Sequence, residues 1–306
     1  MNNKYILIPL LFLVFSKISV ANQSANTFST YNLSVDGAAR NYILYVPPSY
    51  SGGAIPVLFD VHGYGGSAEN QKSASKLWAL SNGNQDGVFA IAYPDGTPKD
   101  NGNSKSFNGS HENDAIADPG CCGKAAEDDI DDVQFFLAIK ADIINHINVS
   151  HFFFTGLSNG SYMGHRFLCE NPGAFDGYGI TSAAVSESWK ANCAFTGGHK
   201  PILYIHGKWD IIQPVGQHQT AGELVQSVNN SMEIYRDRNN CASTKTYTWN
   251  NKWSASYCYE YDACSAGQQV AHCRVKNGHV TYNFDVDGDH NPSKLWWNFF
   301  QEIITQ

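Results

Sequence analysis

The chain has 306 residues, 42% of them hydrophobic, and a formal net charge of −8. That composition supplies a large core, and no basic stripe breaks the acidic balance, which argues against nucleic acid and anionic lipid as partners. No internal repeat and no Pro- or Ser-rich linker divides the chain, so one α/β unit is expected over most of its length.

The opening residues, MNNKYILIPLLFLVFSKISVANQ, have the layout of a secretory leader. Lys4 gives a positive start, residues 5–15 an apolar run, and Ser19-Val20-Ala21 a small-residue cleavage site. The run covers about half of the roughly 20 residues that a membrane span needs, so no stable membrane anchor is expected. The chain thus divides into a cleavable leader, 1–21, and one domain, 22–306, exported to the periplasm or the medium. Loss of Lys4 and Lys17 with the leader makes the mature chain more acidic still.

After the leader, YNLSVDGAARNYILYVP alternates apolar and polar residues around Asp36-Gly37, which predicts a β-hairpin. Short apolar runs of strand length follow: IPVLFDVH (55–62), GVFAIAYP (87–94), HFFFTG (151–156), FDGYGITS (175–182), PILYIHG (201–207) and, as the last, HVTYNFDV (279–286). Near-continuous hydrophobicity in runs this short suits parallel strands buried on both faces. Between them, 128–147 carries acidic residues in its first turn and apolar residues at helical spacing. Asn291-Pro292 opens a terminal helix with a cap residue followed by proline. The expected fold class is therefore α/β: a doubly wound, mostly parallel sheet with helices on both faces.

Eight cysteines in an exported chain point to disulfides. At least one bridge is expected among Cys241, Cys258, Cys264 and Cys273, while Cys121 and Cys122, being neighbours, are expected to pair elsewhere. The spacing of the late cysteines has no C-x-x-C knuckle, so zinc is not expected.

The stretch GLSNG (156–160) directly follows the phenylalanine-rich strand and directly precedes a helix-like segment, NGSYMGHRFLCE. A strand, a Gly-x-Ser-x-Gly turn and a helix together predict a nucleophile at Ser158, held at a sharp and strained turn. Residues two before and two after come too close for a Cβ, hence Gly156 and Gly160. A serine hydroxyl is inert at neutral pH without a base, so an acid and a histidine must follow, in that order. Asp210 lies just past the carboxyl end of PILYIHG, on the side where ligand sites form. His290 lies in the loop DVDGDHNP before the terminal helix and is taken as the base. His279 is the weaker candidate, since Asn277-Gly278 read as a turn puts it on the far side of the last strand. His206 is expected to pack or bond locally, and Asp285, Asp287 and Asp289 to form a solvated turn.

The oxyanion needs N–H donors. One is expected from Asn159, directly after the nucleophile, and the other from Tyr64 in the glycine-rich loop HGYGG (62–66), with Gly65 in reserve. This chemistry calls for no cofactor and no metal. Tyr162 and Trp209 adjoin catalytic positions and are candidate stacking surfaces for substrate.

Taken in order, HGYGG at His62, YPDGT at Tyr93, CCG at Cys121, IDDVQFF at Ile130, GLSNG at Gly156, HGKWDIIQP at His206 and GDH at Gly288 resemble the secreted polyhydroxybutyrate depolymerase and feruloyl esterase family of α/β-hydrolases. The resemblance implies an α/β-hydrolase fold, a triad of Ser158, Asp210 and His290, and an ester substrate: hydroxyalkanoate oligomers or polymer, or a feruloyl or acetyl group of the plant wall. It departs from the family where Asn291-Pro292, not a tryptophan and a proline, follows His290. The stretch between Ser158 and Asp210 has room for little beyond a helix and two strands, so an open cleft without a large lid is expected. The segment from Cys241 to Cys273 is either a disulfide-braced cap or a surface excursion. A non-catalytic carbohydrate or polymer binder on the same fold is the rival class.

Overall fold

The computed structural model describes residues 27–81, 87–99, 102, 104–109, 123–193, 199–220, 223–251, 255–265, 267–279 and 291–305. The expected leader and Cys121-Cys122 lie outside them. Ten strands form the main sheet: β1 (Thr27–Val35), β2 (Ala38–Val46), β3 (Ile55–Val61), β4 (Ala90–Pro94), β5 (Val149–Leu157), β6 (Gly177–Thr181), β7 (Ile202–Gly207), β8 (Lys245–Asn251), β9 (Ser256–Tyr261) and β10 (Val270–Val275). Their order across the sheet is β1-β2-β4-β3-β5-β6-β7-β10-β9-β8.

The hairpin β1–β2 turns at Asp36 and Gly37, both at positive φ (49° and 79°), where an Asp-Gly pair costs least. From β4 through β3, β5, β6 and β7 to β10 all neighbours run parallel, and β2 is antiparallel to β4. Every residue of β3 is buried, as a strand covered on both faces requires. Besides a single turn at Lys124–Glu127, the described residues form the helices α1 (Ala68–Ser75), α2 (Asp132–Ile143), α3 (Asn159–Glu170), α4 (Glu187–Asn192), α5 (Val228–Arg238) and α6 (Pro292–Ile304). Phe135, Phe136, Phe167, Met163, Met232 and Tyr235 of α2, α3 and α5 share one core cluster. Trp296, Trp297 and Phe300 of α6 belong to the other, on the opposite face. Burying each such ring contributes about 2–3 kcal/mol, and this rather than helix propensity fixes α6 on the sheet. The cap of α6 is as the sequence predicts: the Asn291 side chain accepts from the Ser293 N–H, with Pro292 at the first position. The predicted 128–147 helix is shorter than expected, because Asp131 caps it by accepting from the Gln134 N–H.

The late segment is neither a cap nor an excursion. It extends the sheet: β8 and β9 form an antiparallel hairpin, β9 pairs antiparallel with β10, and β10 lies parallel to β7. Cys258 and Cys273 face each other across β9 and β10 and are bridged, and Cys241–Cys264 ties the ends of the hairpin region. A third bridge, Cys169–Cys193, joins the end of α3 to the residue after α4. Three disulfides suit an oxidising compartment, and no described helix is long and apolar enough to cross a membrane.

The strand that completes the parallel run is therefore Val270–Val275, whereas the predicted last strand, 279–286, falls outside the described residues except for His279. The consequence is topological. Asn277 and Gly278 follow the carboxyl end of β10, which puts His279 at the opposite rim of the sheet from the one expected.

Candidate active site

Ser158 sits between the end of β5 and the start of α3 with φ 53° and ψ −117°, a conformation that L-residues avoid. Its N–H donates to the Thr181 carbonyl (2.9 Å), its carbonyl accepts from the N–H groups of Ser161 and Tyr162, and its hydroxyl makes no capping bond to the helix. The turn is tight for the reason its two glycines suggest. A Cβ at Gly156 would stand 2.6 Å from the Gly160 carbonyl, and one at Gly160 would stand 2.5 Å from the Val61 carbonyl oxygen. Both obstacles are backbone and cannot rotate aside. Gly160→Ala is therefore expected to destabilise the fold by about 3 kcal/mol, the upper end for an added methyl in a packed interior, measurable as a lowered urea midpoint at unchanged m.

Asp210 follows β7 as expected and is 5% exposed. Its Oδ1 accepts from the N–H groups of Ile212 (3.0 Å) and Gln213 (2.8 Å). The remaining partner is a histidine: Nδ1 of His279 lies 2.8 Å from Oδ2 and 3.0 Å from Oδ1. Burial pushes the Asp210 carboxyl up, but the hydrogen bond from His279, that from the Gln213 N–H and the neighbouring imidazoles outweigh it, so its pKa falls below the usual value. His206 stands second in line, its Nε2 3.7 Å from Oδ2 and 2.8 Å from the Gln213 carbonyl oxygen; burial holds it neutral by lowering its pKa to about 4.

The imidazole against Asp210 is thus that of His279, in correction of the expectation that this residue lies across the strand. His290, the base expected from the sequence, lies outside the described residues. The His279 loop is fastened to the acid loop by backbone bonds from Lys208 N–H to the Val275 carbonyl and from Trp209 N–H to the Asn277 carbonyl, both 2.8 Å. Its own carbonyl accepts from the Ser182 hydroxyl (3.1 Å), one residue past the Thr181 carbonyl that holds Ser158. Four neighbouring strands, β5, β6, β7 and β10, so deliver Ser158, Ser182, Asp210 and His279 to one rim.

The glycine-rich loop after β3 packs beside the serine, where a Cβ at Gly63 would meet Ser158 Cβ at 3.4 Å. Within it, the Gly65 N–H is bonded to the Lys105 carbonyl (2.8 Å) and the Gly66 N–H to the Gly63 carbonyl (3.0 Å), so the reserve donor, Gly65, is already engaged. His62 braces the loop from beneath. Its Nε2 accepts from the Gly96 N–H (3.0 Å), which puts the ring proton on Nδ1, 2.8 Å from the Gly63 carbonyl oxygen. Asn159 starts α3, and its side chain clamps Phe107 by accepting from the N–H (2.8 Å) and donating to the carbonyl (2.9 Å).

The two candidate stacking residues part company. Trp209 is 56% exposed, with the ammonium groups of Lys208 and Lys276 each 5.7 Å from its ring. Tyr162 is 3% exposed, and its hydroxyl donates to Gln213 Oε1 (3.0 Å), so it offers no face to a substrate. Sequence reading also missed exposed Ile211 and Ile212 beside Trp209; their apolar character after a strand end was the available signal.

No protein-family model matches the chain, and no curated protein matches it. Among solved structures, an acetyl xylan esterase from Aspergillus awamori is similar over 89% of this chain and 99% of its own, at 14% identity and a TM-score of 0.58. Est1E from Butyrivibrio proteoclasticus is similar over 90% of this chain and 99% of its own, at 11% identity and a TM-score of 0.50. A thermostable esterase aligns with 69% of this chain at 16% identity and a TM-score of 0.47, and the chain spans only 51% of that protein. With the mostly parallel sheet covered on both faces, the full-length likenesses show that the chain has the α/β-hydrolase fold.

Proposed function

We propose that the protein is a secreted serine esterase in which Ser158 is the nucleophile, His279 the base and Asp210 the residue that orients it. The observation that carries this is the Asp210–His279 contact on the rim that also bears a serine at φ 53° with a hydroxyl not spent on capping. With Nδ1 of His279 committed to Asp210, Nε2 is the nitrogen left to take the Ser158 proton. The serine oxygen attacks the ester carbonyl, and the N–H groups of Asn159 and Tyr64 receive the oxyanion, each contributing roughly 3 kcal/mol to the transition state. His279 then gives the proton to the leaving alcohol oxygen, and water repeats the sequence on the acyl-enzyme.

As substrate we favour hydroxyalkanoate esters, on the ordered motifs from HGYGG onward. Acetyl or feruloyl esters of the plant wall are the second reading, supported by the full-length likeness to an acetyl xylan esterase. Between Ser158 and Asp210 the described residues hold α3, β6, α4, β7 and one short 3-10 turn, Pro172–Ala174, which supports an open cleft that admits a bulky ester. A fluorophosphonate probe is expected to label the mature protein on Ser158 alone, and Ser158→Ala to abolish both labelling and turnover of 4-nitrophenyl acetate; a folded, unlabelled wild type would instead point to a binder. A panel of hydroxybutyrate oligomers, methyl ferulate and acetylated xylan then separates the substrate classes.

Trp209 is the substrate contact retained from the sequence reading, as a platform at the mouth. Trp209→Ala is expected to raise KM for a bulky ester about 5-fold, the value of one aromatic contact, while kcat on 4-nitrophenyl acetate stays within about twofold.

A further inference from the structure

We infer that Gln213 is a positioning residue that locks the acid loop to the nucleophile helix, an inference that rests on the reading of Ser158, His279 and Asp210 as the triad. Three groups of one residue converge on it. Its N–H donates to Asp210 Oδ1 (2.8 Å), its carbonyl accepts from His206 Nε2 (2.8 Å), and its side-chain Oε1 accepts from the Tyr162 hydroxyl (3.0 Å) with His218 Nε2 2.9 Å away. Tyr162 in turn donates its own N–H to the Ser158 carbonyl (3.0 Å). A continuous path therefore runs from the nucleophile's backbone through Tyr162 and Gln213 to Asp210 and His279. Gln213 is 2% exposed and Tyr162 3%, so the link is dry and each bond in it is costly to lose.

The physical consequence is a fixed distance between two loops that come from different strands. The acid loop after β7 has exposed Ile211 and Ile212 at its tip, with little packing of its own. The side chain of Gln213 anchors it to α3 at Tyr162 and to the strand His218–Thr220 at His218, which pairs with Glu223–Val225. A displacement of about 1 Å between nucleophile and base can cost on the order of 100-fold in rate.

Gln213→Ala keeps the backbone bonds to Asp210 and His206 but removes the anchor. It is expected to lower kcat on 4-nitrophenyl acetate by about 10- to 100-fold with KM within about twofold. Gln213→Glu keeps an oxygen for Tyr162 and His218, so it is expected to recover most of kcat. Rescue by an acceptor of the same length is a readout that mere loss of packing at residue 213 does not produce. Tyr162→Phe removes one bond of the same link and serves if Gln213→Ala does not fold; a drop in kcat of about 5-fold at unchanged KM is expected. Wild-type kcat in Gln213→Ala, or in Tyr162→Phe if that variant has to stand in, would overturn the inference, as would equal losses in the Ala and Glu variants. Full turnover by Ser158→Ala is a separate result that removes the triad instead.

Discussion

His279→Ala is expected to reduce kcat for ester hydrolysis by on the order of 10⁵- to 10⁶-fold, and His290→Ala to leave it within about tenfold of wild type. The asymmetry follows from the acid. An unpaired Asp210, 5% exposed, would hold its charge at a high desolvation cost; against that cost, the hydrogen bond from His279, that from the Gln213 N–H and the neighbouring imidazoles are what keep its pKa low. The His279 imidazole occupies the position from which an acid orients a base, and the oxygens of a carboxylate already engaged this way leave no equivalent place for a second ring. Asp210→Asn is expected to cost about 10⁴-fold by favouring the wrong tautomer of His279. The measurement is kcat on a short-chain nitrophenyl ester for the histidine and asparagine variants, with circular dichroism to confirm folding. A dead His290→Ala beside an active His279→Ala would return the base to residue 290.

Why the sequence favours His290 over His279 is itself a matter of periodicity. HVTYNFDV has β-branched and aromatic residues in alternation and reads as a strand, whereas VAHCRV, interrupted by His272, Cys273 and Arg274, is not one of the apolar runs of strand length. Yet β10 is buried on both faces because Cys273 is bridged to Cys258 and His272 is enclosed by Tyr204, Tyr257 and Tyr259. Neither partner is visible without the register of β9 against β10, and register is a tertiary property. Asn277-Gly278 marks a turn in either reading, so it could not arbitrate. By contrast, the hairpin at Asp36-Gly37, the GLSNG elbow and the cap at Asn291 each depend on residues within a few positions of one another, and all three were legible. Tyr162 shows the limit of adjacency. Four residues after Ser158 in a helix, it shares that residue's face by spacing, but its ring turns inward to Gln213.

Stability is expected to fall steeply between pH 6.5 and 4. Four histidines, His62, His165, His206 and His272, are buried, and burial lowers the first three to about 4 and His272 to about 3 from an ordinary 6.5. Because the folded-state pKa is depressed, the unfolded chain takes up these protons first. The stabilisation is thus fully present above pH 6.5 and is lost as pH drops through the folded-state values. At about 1.4 kcal/mol per pH unit of displacement, each of the first three amounts to roughly 3.5 kcal/mol and His272 to roughly 5 kcal/mol, against a total stability that is typically about 5–15 kcal/mol. Asp60 acts with the opposite sign: burial pushes it up to about 7, so its contribution is complete below pH 3.8 and disappears as pH rises through 7. Buried Asp132 is raised as well, its burial outweighing the Arg40 partner, so its stabilising contribution is likewise greatest in acid. Glu260 is raised by burial too, but three acids do not offset four histidines, and the net slope below pH 6.5 is positive. His272 offers the sharpest check, since neither of its ring nitrogens has a hydrogen-bond partner among the described residues. Its neighbours are rings, so His272→Phe keeps an aromatic of similar size while removing two orphaned polar atoms. That variant is expected to gain about 1 kcal/mol at pH 7 and more at pH 5, because one of the protons that drives acid unfolding is gone. Urea unfolding at half-unit steps from pH 4 to 8 reads both effects; parallel curves for variant and wild type would show that His272 does not titrate differently on folding.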